Sequence, residues 1–178
     1  MRRWQVAAFC LLLTTPASVR VCHYSWWSDN PQPYLKAIKQ SSPAVPLNLA
    51  PGERIRAGIV THHFLASGLM VRFFDTLRSG PSPETIILIG PNHFHHGSAN
   101  ISLSSLPWKT PFGVVETDRS VVQQLKTVTG LPEDPEAFTG EHSVGVLVPF
   151  LKHYFPHSRV VPILVARSVG ENRKNVYR

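Results

Sequence analysis

Three short stretches in a row constrain this chain's fold more than anything else in it. Residues 55–60 form a compact segment ending in β-branched side chains, which predicts a buried strand. Residues 64–78 then space Leu65, Leu69, Phe73 and Leu77 four apart, with Met70 and Phe74 beside them, which predicts a helix with one apolar face. Ser79-Gly80-Pro81 stops it. Residues 85–89 (TIILI) form a second apolar run ending at Gly90-Pro91. Strand, helix and strand within about 35 residues make a βαβ unit, which implies a parallel sheet with a right-handed crossover.

The remaining pattern agrees with an α/β fold. A short helix is expected over residues 33–38, followed by a proline-rich connecting loop at 41–52. Residues 101–103 and 110–117 read as extended pieces around a turn, and Asp118 as the N-cap of a helix through Val128. Ser143 is read as the cap of a helix from Val144 to about Tyr154. Residues 160–165 (VVPILV) form the last strand, where Pro162 argues for an edge or a bulge. The expected fold class is α/β, a mostly parallel sheet flanked by helices.

With 178 residues the chain has room for one sizeable core. A composition 43% hydrophobic and 16% charged excludes both a disordered chain and a multi-spanning membrane protein. The net charge of +7 sits at the two ends: Arg2, Arg3 and Arg20 at one, Arg167, Arg173, Lys174 and Arg178 at the other. Between them bases and acids nearly cancel, so there is no basic face and no nucleic-acid partner is expected. Residues 1–20 run from a positive start through an apolar stretch (6–13) to small residues around Pro16, the order of a secretory signal. Export, or membrane association through this N-terminus as an anchor, is expected; a buried N-terminal helix in a cytoplasmic protein is the alternative. Residues 21–54 then form an N-terminal segment and linker, and 55–178 the main α/β domain.

Histidine carries the chemistry. Five of the nine fall between His62 and His96. Ligands in open parallel sheets sit beyond the carboxyl ends of strands. His62 follows the first predicted strand and His93 follows the second through Gly90-Pro91-Asn92, so both are candidate metal ligands at one sheet rim. His95 and His96 read as surface residues of a loop. Glu141-His142-Ser143 admits two readings, a capping arrangement at a helix start or a site in which His142 is a catalytic acid or base. Trp108 and Phe112 read as packing residues or as anchors of a loop over the site. GxSxG, GxxxxGK[ST], HExxH and the Rossmann glycine fingerprint are all missing, which leaves metal-assisted chemistry as the best enzyme reading.

AGIVTHHFLASGL, IILIGPNHFHHG, WKTPFG, EHSVGVLVPFLKHYFP and VVPILV occur in that order. Together they resemble the Memo-like family, also called AmmeMemoRadiSam system protein B; HYSWW upstream is a weaker match. The resemblance implies a fold similar to the catalytic subunit of class III extradiol ring-cleaving dioxygenases, with a non-haem metal site. It implies a divalent or redox ion, iron or copper foremost, held in part by His62 and His93, and it matches Glu141, His142 and Ser143 to the family's EHS segment. It also implies partners within an AmmeMemoRadiSam system. This chain departs from the family pattern at Thr61, where proline is usual, and at Gly145, where a carboxylate is usual. Family members continue past VVPILV into a second half that brings the remaining ligand and a catalytic or site histidine. An incomplete domain is therefore expected here, and a noncatalytic binding module or inactive fragment is the alternative function.

Overall fold

The computed structural model describes residues 21–42, 50, 53 and 55–166. The proposed export segment, most of the 41–52 loop and the basic tail lie outside the described residues. Among the described residues no helix is long and apolar enough to cross a membrane.

The strands are β1 (His23–Tyr24), β2 (Thr85–Asn92), β3 (Ile101–Leu103), β4 (Trp108–Thr110), β5 (Gly113–Val115) and β6 (Arg159–Ala166). The helices are α1 (Gln32–Gln40), α2 (Ser67–Arg78), α3 (Arg119–Thr129), α4 (His142–Gly145) and α5 (Val148–Tyr154). The strands form two small sheets, ordered β1-β4-β5 and β2-β6-β3. Each combines one parallel and one antiparallel pair. The expectation of a mostly parallel sheet is thus corrected to two mixed ones. The physical reason is local for β4 and β5, which are joined by Pro111 and Phe112 alone, a link too short for anything but a hairpin.

The predicted first strand is a second correction. Residues 55–60 form no ladder among the described residues, and Ile59 is fully exposed. The segment lies against α2 instead: a Cβ on Gly58 would come within 2.7 Å of the Phe73 ring. The strand parallel to β2 is β6, in register from Thr85↔Arg159 to Asn92↔Ala166. Pro162 consequently stands in a central strand, not at an edge. The Ala166 N–H donates to Asn100 O and the Val160 N–H to Glu116 O, so even-numbered β6 residues face away from β2. β3 pairs only with residues 163–165. Pro162 falls between these partners, where the missing N–H leaves no ladder bond broken.

Helix α2 is preceded by a 3-10 turn (Phe64–Ala66) and buries Met70, Val71 and Phe74. Phe73 and Leu77 pack at the margin of the core, while Leu65 and Leu69 are exposed, so the inward face is rotated from the predicted stripe. Asp118 caps α3 as expected, accepting from the Val121 N–H, and Gly130 ends the helix at φ 70°. The helix expected over 144–154 is divided into α4 and α5, and its N-cap is Glu141 rather than Ser143.

The main core joins Tyr34 and Ala37 of α1 to Met70 and Phe74 of α2, Phe150 and Tyr154 of α5, and Val160 and Leu164 of β6. Trp108 is completely buried within it, which settles its use as packing. A smaller cluster of Leu103, Val122 and Val161 lies under α3.

Candidate metal centre

The carboxyl end of β2 and the start of α4 meet through a set of short bonds. The Ser143 hydroxyl donates to Pro91 O at 2.7 Å. A Cβ on Gly90 would sit 2.6 Å from the Ser143 Oγ, so this approach requires the glycine. Glu141, whose side chain is fully enclosed, accepts the Ser143 N–H at 2.8 Å, the His93 N–H at 2.7 Å and the His93 Nδ1–H at 2.8 Å. Burial opposes ionisation of Glu141, but the bonds from the His93 ring, Ser143 and the His93 backbone outweigh it and hold the carboxyl below its ordinary pKa. His142 is thereby held directly beside His93.

His62, at the end of the segment lying along α2, completes the group. Ring centroids are 4.2 Å apart for His93 and His142, 4.9 Å for His62 and His93, and 5.6 Å for His62 and His142. One ring nitrogen from each lies within 4.8 Å of the other two. Nitrogens about 2.1 Å from a tetrahedral ion are roughly 3.4 Å apart, so small rotations close these rings on one ion. The Nδ1 of His142 is buried with no hydrogen-bond partner, 3.4 Å from Glu141 Oε1. Three converging imidazoles, one with an unsatisfied nitrogen, fit a first-row transition ion. For both His62 and His142, burial and then the neighbouring His93 ring lower the pKa, which keeps them in the unprotonated form a metal needs.

The structure brings together all three histidines singled out in the sequence, but sets His142 among the candidate ligands rather than apart from them. His63, His95 and His96 are exposed, and His96 Nδ1 bonds Thr139 O. Sequence reasoning missed two aromatic neighbours. Trp26 and Phe94 both neighbour His142, with centroids 5.5 and 5.7 Å away, and each is substantially exposed. Both stand in the stretches HYSWW and PNHFHH, yet nothing in one dimension places them beside the same ring. Gly145, where the resemblance puts a carboxylate, borders Trp26: a Cβ there would lie 3.7 Å from its ring and 3.5 Å from Trp108.

Fold and site together define an α/β protein with a candidate three-histidine metal centre at a sheet rim. The family model of the Memo-like proteins matches residues 23–177, and the chain belongs to that family. A MEMO1 family protein of Caldivirga maquilingensis is 48% identical over 84 residues, covering 47% of this chain and 30% of the relative. Another, from Pyrobaculum arsenaticum, is 37% identical over 119 residues, 65% of this chain and 42% of the relative. A third, from Pyrobaculum aerophilum, is 32% identical over 130 residues, 71% and 46% respectively. The chain thus spans less than half the length of the curated relatives it matches.

Proposed function

We propose that this Memo-like chain binds one transition-metal ion through His62, His93 and His142, and that the ion serves metal-dependent chemistry. The observation that carries the reading is the convergence of three ligand nitrogens within 4.8 Å from three separate parts of the chain. Iron and copper suit imidazole ligands, and such an ion supplies Lewis-acid or redox chemistry toward a substrate oxygen. The chain's own contribution is positional. Glu141 holds His93, Ser143 ties α4 to β2, and Trp26 and Phe94 border the space beside His142. A dioxygenase-like activity, as the resemblance implies, is part of this proposal and belongs to the whole protein's length. The export or anchoring role of residues 1–20 is likewise proposed, and N-terminal sequencing of protein recovered from a secreting host tests it.

Metal analysis after loading with iron(II), copper(II) or zinc(II) tests the centre. About one ion per chain is expected, with loss in His62→Ala and in His93→Ala. Unchanged stoichiometry in both variants overturns the reading. The orphaned Nδ1 of His142 near Glu141 favours a second assignment for that residue alone, as a proton carrier beside an ion held by the other two. Loss of the ion in His142→Ala supports the three-ligand set, and a retained ion supports the proton carrier.

A further inference from the structure

We infer that Glu141 is the positioning residue of this centre: its carboxylate selects the nitrogen that His93 offers to an ion and locks the ring's direction. This rests on the metal-binding reading of the histidines. An ionised carboxylate accepts hydrogen bonds and donates none. The 2.8 Å contact between Glu141 Oε1 and His93 Nδ1 therefore places a proton on Nδ1 and leaves the free lone pair on Nε2. The other oxygen, Oε2, accepts the backbone N–H of the same residue at 2.7 Å. One side chain thus grips His93 at ring and backbone, so the imidazole cannot turn over or exchange tautomers without breaking a bond.

Helix capping does not account for this arrangement. Capping α4 uses the contact with the Ser143 N–H. The two bonds to His93 reach a residue 48 positions away and do nothing for the helix end. Full enclosure of the Glu141 side chain keeps water from competing for its oxygens. A partner that fixes tautomer and orientation of a ligating imidazole changes metal affinity by roughly 10- to 100-fold when lost.

The test combines ¹⁵N NMR of the imidazole nitrogens in the metal-free protein at pH 8 with zinc(II) titration. Wild-type His93 is expected as the Nδ1–H tautomer. Glu141→Gln keeps the volume but turns one acceptor into a donor. It is expected to mix the His93 tautomers and raise the zinc dissociation constant about 10- to 100-fold, with unchanged far-UV circular dichroism. Glu141→Asp, charged but shorter, is expected to fall between wild type and Glu141→Gln. A wild-type tautomer and affinity in Glu141→Gln overturn the inference and leave the metal-binding reading intact. Should that variant fail to fold, an Nε2–H tautomer at His93 of the wild-type protein overturns it alone. A wild-type protein that binds none of the tested ions overturns the metal-binding reading instead.

Discussion

His23 and the cluster of His62, His93 and His142 put one side chain to opposite uses. His23 is 6% exposed, bonds Ser104 Oγ through Nε2 at 2.7 Å and lies 4.8 and 5.2 Å from the rings of Trp108 and Phe138. Burial lowers its pKa to about 4, so it remains a neutral, hydrogen-bonded packing element. In the cluster the rings face one another at a rim, His93 with about a third of its side chain exposed, and His142 keeps a nitrogen without a partner. Protonating these rings sets like charges against each other; a bound cation instead takes up their lone pairs. The difference teaches that burial alone does not mark a functional histidine. Convergence of imidazoles, one of them with an unspent nitrogen, marks the candidate.

Separating the two regions by mutation is the strongest way to break that comparison. His23→Ala removes a ring from the core and its bond to Ser104 Oγ, which keeps only the Leu106 N–H, so a loss of about 3 kcal/mol is expected in urea unfolding. Metal stoichiometry of the folded fraction should not change, and a lost ion would show the regions to be coupled. The pH dependence has a similar ceiling. His23 has an unfolded pKa near 6.5 and a folded one of about 4, so the unfolded chain takes up the proton first. Its contribution is complete above pH 6.5 and is withdrawn as pH falls toward 4, by up to about 3 kcal/mol. His23→Gln should flatten the stability profile across that window, measured by unfolding at a series of pH values.

Gly90→Ala sharpens the other side. The new Cβ meets Ser143 Oγ at 2.6 Å, so α4 must move from the end of β2. About 2 kcal/mol of destabilisation is expected, together with weaker metal binding in titration as His142 leaves His93. The smallest effect belongs to Phe94→Ala. Its ring is half exposed beside His142, so stability should stay within about 0.5 kcal/mol and the ion should remain bound. A large loss of stability there would make the rim part of the core.

Elements that depend on neighbours in sequence were legible without a structure. Asp118 capping α3, the helix over Gln32–Gln40 and the strand following Pro83 all follow from local sterics and hydrogen bonding, which a short window of residues contains. His93 was legible as a candidate because it directly follows an apolar run that does form a strand; His62 was singled out after a strand that did not form, and His142 beside a helix cap. Strand pairing was not legible. β2 took β6 as its parallel neighbour while residues 55–60 went to α2, since an apolar run satisfies helix, strand or surface equally well until a partner is present. The amino-acid order determined which imidazoles were available. Tertiary contacts alone decided that Glu141 would hold one of them and that Trp26 and Phe94 would stand beside another, because these are distances between residues the chain keeps far apart.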